Sequence, residues 1–297
     1  MTAQIIEGTS ITRPEPEALT STILDHATVV DNEAKFGYRN NEGLWPSYNC
    51  LDLLVPTPTC ATPVADFDFK DFKVAGWVPG FQFGVHGGVQ CSIIGLDTAD
   101  QQSEVERVFA RSEAKGVEMA LLLNRFVDNP EGTGSDVTVN PYDATWDAPT
   151  DITVAGMTLI GAVAALESYA AALYAGTPTL HMPRGAVLIL AASGAIVERD
   201  GKFFTKTGAK VAAGGGYDDP DTPPDGTYDI YATGEVFVER SKRLTFHEYT
   251  LPGDGSGTGS DQNGLADNTS IALVERMFRV GIDCFAAKAT GRAWGTV

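Results

Sequence analysis

Basic residues are scarce: 21 Lys and Arg stand against 39 Asp and Glu, a net charge of −18 over 297 residues. Such a surface repels phosphate backbones overall. No Lys/Arg-rich run interrupts it, which argues against a protein that grips nucleic acid by a broad basic face. An acidic soluble protein fits, as does a surface that sits beside nucleic acid without sticking to it. Cysteine is equally sparse. Cys50, Cys60, Cys91 and Cys284 are separated by 9, 30 and 192 residues, so there is no CxxC pair for zinc and no disulfide framework. Reduced, buried thiols are expected. Apolar runs of about 18 residues, the length needed to cross a bilayer, are missing. The first residues, MTAQIIEGTSITRPEPEAL, have no basic stretch followed by an apolar one, so no signal peptide is expected and synthesis in a cytoplasm is.

Catalytic signatures are missing too. The four histidines, His26, His86, His181 and His247, stand apart in sequence. No HxxxH or HExxH pairs them for a metal, and each reads as a structural histidine held by hydrogen bonds. Gly214-Gly215-Gly216 lies outside any GxxxxGK[ST] or GxGxxG pattern, and reads as a loop that needs positive φ. There is no GxSxG elbow. Asn268-Thr269-Ser270 matches a glycosylation triplet, without consequence if the chain is not secreted. Asp218, Asp219, Asp221 and Asp225 crowd one loop. Without EF-hand spacing, they read as a solvated acidic loop rather than a calcium site. The residues therefore point to no catalytic, cofactor or metal site.

What is present is a core and an unusual layout. Hydrophobic residues make up 43% of the chain, enough to build a globular interior. The first 45 residues mix Pro, Glu, Thr and Asn and read as an extended arm with one short helix at most. Pro46, Pro56, Pro58 and Pro63 keep residues 46–64 extended and irregular. DFDFKDFKV alternates with a shift near Asp71, and FQFGVHGGVQCSIIGL follows with a bend at Gly87-Gly88. Residues 66–97 thus read as a long two-stranded hairpin with one polar face. Such a hairpin is marginal alone and needs a partner surface.

Residues 100–127 carry the clearest helical pattern. Val105, Val108, Phe109, Ser112, Gly116, Met119, Ala120, Leu123, Phe126 and Val127 form one face, and Glu104, Glu106, Arg107, Arg111, Glu113, Lys115 and Glu118 the other. Asp128-Asn129-Pro130 ends the helix, which would run roughly 40 Å. A second, Ala-rich helix is read over 156–176, closed by Gly176. Short elements follow in TLHMP, a helix in RGAVLILAASGAI and a strand in GAKVAAGGGY (208–217). The segment YDIYATGEVFVER (228–240) alternates well. PGDGSGTGSDQNG (252–264) is a flexible surface loop by composition, and 268–289 reads as one long strand doubling back on the fold. The class is α+β with long projections, not a doubly wound sheet, and no repeat of fixed period exists.

Four blocks carry a resemblance: GWVPGFQFGVHGGVQCSIIGLDTADQQSEVERVFARSEAKGVEMALL (76–122), ALESYAAALYAGTPTLHMPRGAV (165–187), TKTGAKVAAGGGY (205–217) with IYATGEVFVERS (230–241), and NTSIALVERMFRVGIDCFAAKA (268–289). In this order and spacing they resemble the major capsid proteins of tailed phages, especially those of actinobacterial hosts, with the Hong Kong 97-type fold. The resemblance implies an N-terminal arm (1–49), an extended loop (50–99), a peripheral domain with a spine helix (100–155), an axial domain (156–245) and a return strand to the peripheral domain (246–297). It implies self-assembly as pentamers and hexamers into an icosahedral shell around double-stranded DNA, in the virion, after synthesis in a bacterial cytoplasm.

The expected partners are further copies of the chain, a portal protein, packaged DNA bound without sequence specificity, and on some shells a decoration protein. The arm is short for a cleaved scaffolding segment, so a separate scaffolding protein is expected. Lys70 and Lys73 lie where some relatives cross-link a loop lysine, but nothing marks an acceptor and no cross-link is expected. The competing readings are an encapsulin-type nanocompartment shell, a cytoplasmic enzyme with an unrecognised site, and a tail or decoration protein.

Overall fold

A computed structural model describes residues 18–32, 44–47, 76–79, 81–92, 98–122, 149–174, 176–217, 226–251, 269–283 and 285–293. In chain order the elements are α1 (Ile23–His26), β1 (Thr28–Asn32), β2 (Leu44–Ser47), β3 (Gly76–Pro79), β4 (Phe81–Ser92), α2 (Thr98–Leu121), β5 (Thr150–Asp151) and α3 (Leu159–Leu173). They continue with β6 (Thr179–His181), α4 (Arg184–Ala192), β7 (Ile196–Arg199), β8 (Lys202–Thr205), β9 (Lys210–Ala212), β10 (Thr227–Thr233), β11 (Val236–Ser241), β12 (Thr245–Leu251), β13 (Thr269–Ile282) and β14 (Ala286–Arg292). The class is α+β, as read from the sequence.

Two sheets organise these elements. In the first, the long β13 is the spine. β4 pairs antiparallel along one edge over Phe81–Ser92, while β12 and β11 follow one another along the other edge, and β1 adds in parallel to β11. The second sheet has the order β5-β14-β10-β6-β9-β8-β7, flanked by α3 and α4. Its core gathers Leu159, Leu166, Leu180, Met182, Leu190 and Ile230, all essentially without solvent contact.

Five expectations change. The run at 81–92 is not the arm of an unsupported hairpin. It pairs with β13, and the face carrying Phe83 is buried, the ring stacking on Phe278 at 5.8 Å. Its expected hairpin mate, 66–73, lies outside the described residues. The single strand read over 268–289 breaks at Asp283, and the run at 228–240 breaks at Gly234. In both cases the chain leaves one sheet for the other. The two crossings run side by side: Asp283 N–H donates to Glu235 O at 2.9 Å, and a Cβ on Gly234 would sit 2.2 Å from Asp283 O. Alternation runs on through Gly234, so periodicity does not reveal that crossing, whereas past Asp283 the core-facing set shifts from Phe278, Val280 and Ile282 to Ala287 and Ala289. The strand read over 208–217 is confined to β9, and the Ala-rich helix ends at Tyr174, in extended conformation, rather than at Gly176.

Helix α2 starts near the expected place and is described as far as Leu122. It lays Val105 and Phe109 against Ala272 and Val274 of β13, and Val117 and Leu121 into the core formed with β4, β11 and β13. Four positions on its two faces are reversed. Val108 and Met119 are 38% and 43% exposed, whereas Glu113 and Glu118, read as solvent-facing, are buried. Glu113 turns inward because two arginines meet it: Arg276 at 2.6 Å and Arg240 at 3.3 Å. Glu118 turns toward a third partner, described next.

Candidate functional site: the junction of the two sheets and an apolar groove

At the C-terminal half of α2, three stretches of chain converge on one carboxylate. Glu118 Oε1 accepts the N–H of Ile23 at 2.9 Å and of Gly214 at 3.1 Å, and Oε2 accepts the N–H of Gly216 at 3.0 Å. The side chain has no solvent contact. Burial pushes its carboxyl up to about 7, against the three backbone donors and Arg184, which pull it down. Glu118 thus ties the helix to α1 and to the segment that follows β9.

The triple glycine is the other half of this contact, for a different reason than the sequence suggested. None of Gly214, Gly215 and Gly216 adopts positive φ; the left-handed glycines of this region are Gly208 and Gly226. What requires glycine is proximity. A Cβ on Gly214 would lie 2.1 Å from Glu118 Oε2, and one on Gly216 would lie 2.6 Å from Lys115 O and 2.7 Å from Met119 N. The backbone lies directly on the helix, where no side chain fits.

Histidine completes the junction. His181 on β6 is fully buried, Nδ1 meeting the Tyr217 hydroxyl at 2.8 Å and Nε2 the Thr233 hydroxyl at 2.9 Å. Burial, with a smaller contribution from His26, lowers its imidazole to about 3, so it is neutral and structural. His26 closes α1 against β8, edge-on to Phe204 at 5.5 Å. His86 is exposed on β4 and His247 half-buried on β12; neither joins this cluster. Arg184, at the start of α4, donates to Ala213 O at 2.9 Å and to Thr20 O at 3.2 Å. The HMPR run within the block at 165–187 therefore delivers both His181 and Arg184 to this junction.

A second feature lies on the other sheet. A groove of about 500 Å³ runs between α3 and α4, walled by Leu159, Ile160, Leu188, Ile189 and Ala192. No charged side chain among the described residues lines it. Its rim is unusually apolar for a surface: Leu188 is 73% and Ile160 51% exposed, and Val154 nearby in sequence is 63% exposed. The acidic loop at 218–225 lies outside the described residues. Among those described, no group of three His, Cys, Asp or Glu is placed to hold a metal ion, and no helix is long and apolar enough to cross a membrane.

Sequence reading missed Glu118 because a carboxylate among Lys115 and other polar positions of a helix looks like a solvated face. The available signal was Gly-Gly-Gly, whose lack of side chains marks a close approach as readily as a turn.

No protein-family model matches the sequence, and no curated protein sequence matches it. Solved structures do. A chain from the capsid of Ralstonia phage GP4 superposes with a TM-score of 0.50 at 9% identity, covering 100% of both chains. A chain of Mycobacterium phage Adephagia gives 0.48 at 16% identity, covering 99% of each. The holo-SrpI encapsulin of Synechococcus elongatus PCC 7942 gives 0.45 at 14% identity, covering 99% of this chain and 97% of that one. The chain has the Hong Kong 97-type capsid fold.

Proposed function

We propose that the chain is the major capsid protein of a tailed phage, assembling as pentamers and hexamers into an icosahedral shell around double-stranded DNA. The observation that carries this reading is the likeness to the Ralstonia phage GP4 capsid chain, which covers 100% of both chains. The domain layout then follows the resemblance: arm 1–49, extended loop 50–99, peripheral domain 100–155, axial domain 156–245 and return strand 246–297. A separate scaffolding protein and a portal protein are the partners expected of such a shell, with a decoration protein on the outside of some shells.

The surface supports self-association at a definite place. Copies carrying −18 each repel one another over most of their surface. Contacts between them favour faces that are neutral and apolar, where burial gains about 25 cal/mol per Å² and no like charges are juxtaposed. The α3–α4 groove with its Leu188 and Ile160 rim is such a face. The acidic remainder suits a wall along which packaged DNA slides without adhering.

The deciding experiment is negative-stain electron microscopy of the protein co-expressed with its neighbouring genes. Closed shells or capsomer rings are the expected result. A clean monomer in the presence of a scaffolding partner would refute the proposal and reopen the search for an enzyme. Protein cargo in place of DNA inside the shells would turn the reading to a nanocompartment. Within a positive result, Leu188→Glu is expected to leave the subunit folded and to abolish rings and shells. Shells of normal number from that variant would move the contact elsewhere.

A further inference from the structure

The short helix α1 is held by an arrangement that packing alone does not need. Ser21, just before it, sits at φ +61, a conformation unusual for a residue with a side chain. Its hydroxyl is fully committed: it donates to Val211 O at 2.7 Å, accepts the N–H of Phe203 at 2.8 Å, and meets His26 Nε2 at 2.9 Å. Because the single hydroxyl hydrogen goes to Val211, Nε2 carries the proton of that last bond and donates it. Ser21 O accepts from Ala213 N–H at 2.7 Å. Beyond His26 the carbonyls of Asp25 and His26 are capped by Lys202 at 2.6 Å and Lys210 at 3.2 Å. On the opposite side, Ile23 N–H is the donor to Glu118.

We propose that residues 20–27 form a proton-gated clamp on the two sheets, in which a proton on His26 releases the segment. The charges around His26 set this response. From β8 and β9 come Lys202 and Lys210, two cations beside a buried ring; from α1 itself comes Asp25, which opposes them; from β6 comes the neutral His181. A second proton on the ring would place a third positive charge in a pocket with one facing carboxylate. Burial first and Lys202 next hold the imidazole down to about 4, from an ordinary 6.5. Neutral His26 therefore stabilises the closed clamp above pH 6.5, and that contribution is lost as the pH falls toward 4.

Glu118 works the other way. It faces the Ile23, Gly214 and Gly216 amides, with Arg184 from α4 and the Tyr217 hydroxyl as its charged and titratable neighbours. Its raised value means that its contribution is fully present below 4.5 and lost as the pH rises through about 7. The two groups, on opposite sides of one short helix, are of opposite sense and largely offset one another, so the response of His26 is read with Glu118 held constant.

Hydrogen exchange of the full chain, read by mass spectrometry at pH 7.5 and 5.0 and corrected for intrinsic exchange, tests this. The probe is the peptide covering 18–27; the peptide covering α3 is the control for global unfolding. His26→Gln keeps a donor to Ser21 but cannot take up a proton. The contribution of Glu118 is common to both proteins and cancels in the comparison. Opening of 18–27 in the wild type, relative to His26→Gln, is expected to rise about 30-fold from pH 7.5 to 5.0, with α3 unchanged. If His26→Gln does not hold the segment closed at pH 7.5, Lys202→Met replaces it; relief of one neighbouring cation is expected to shrink the same rise. A ratio that stays flat between the two pH values, or opening of 18–27 and α3 together in the wild type, would overturn the proposal.

Discussion

Replacing Gly216 by alanine tests whether the triple glycine exists for proximity rather than for turning. The added Cβ would lie 2.3 Å from Glu118 Cβ, 2.6 Å from Lys115 O and 2.7 Å from Met119 N. Two of these three atoms are backbone of α2, so no rotamer change relieves them. The segment must withdraw from the helix by about 0.7–1.1 Å to reach a tight but tolerable 3.4 Å. Overpacking of this kind costs about 1–3 kcal/mol. Withdrawal also stretches the Gly214 and Gly216 bonds to Glu118, and one buried partner left unsatisfied adds about 1–3 kcal/mol.

A combined loss of about 3 kcal/mol is expected from Gly216→Ala. At a urea sensitivity of about 3 kcal/mol per M, the upper end of the usual range, it moves the midpoint down by about 1 M with the slope unchanged. Gly215 is the internal control. Its Cβ would meet nothing nearer than Leu19 Cδ1 at 3.5 Å, and its φ is not left-handed. Gly215→Ala is therefore expected to be neutral or to stabilise by about 0.4–1 kcal/mol through the unfolded chain. Equal losses at both positions would refute the proximity argument and restore a conformational need for glycine throughout the loop.

Glu118→Gln leaves one amide N–H group facing the Gly216 donor, and is expected to cost about 1–3 kcal/mol in urea melts. It should also remove the wild type's loss of stability, up to about 3 kcal/mol, as the pH rises from 4.5 through 7; a difference between the two proteins that does not vary with pH would count against a buried, titrating carboxylate. Glu113→Ala strands Arg276, paired at 2.6 Å and with its head over the Phe109 ring at 5.9 Å. It is expected to cost about 3 kcal/mol, while Glu113→Leu combined with Arg276→Met should recover most of that loss in the same melts.

Much of the class was legible because it rests on local patterns. The helix over α2 announces itself by spacing, and α3 and α4 by continuous apolar composition. The overall α+β reading follows from strands and helices that do not alternate as βαβ units. The four blocks that suggested a capsid subunit hold for the fold, although none contains an active-site signature to anchor them. Histidine was read correctly at His181, where burial and two hydroxyl partners satisfy both ring nitrogens.

What the chain alone determined, then, were properties carried by neighbours in sequence: a helix face, a strand's alternation, the acidic balance that keeps copies apart. Only the tertiary structure decided which polar groups are buried, because that depends on what arrives from far along the chain. Glu113 and Glu118 occupy helix positions that look solvated; one is covered by arginines 127 and 163 residues away, the other by a backbone 96 and 98 residues away. The same holds for the strand breaks at Gly234 and Asp283, where the partner sheet changes. A carboxylate's worth is set by the donors around it and a strand's by the edge it meets, and both are fixed by contacts that local periodicity does not encode.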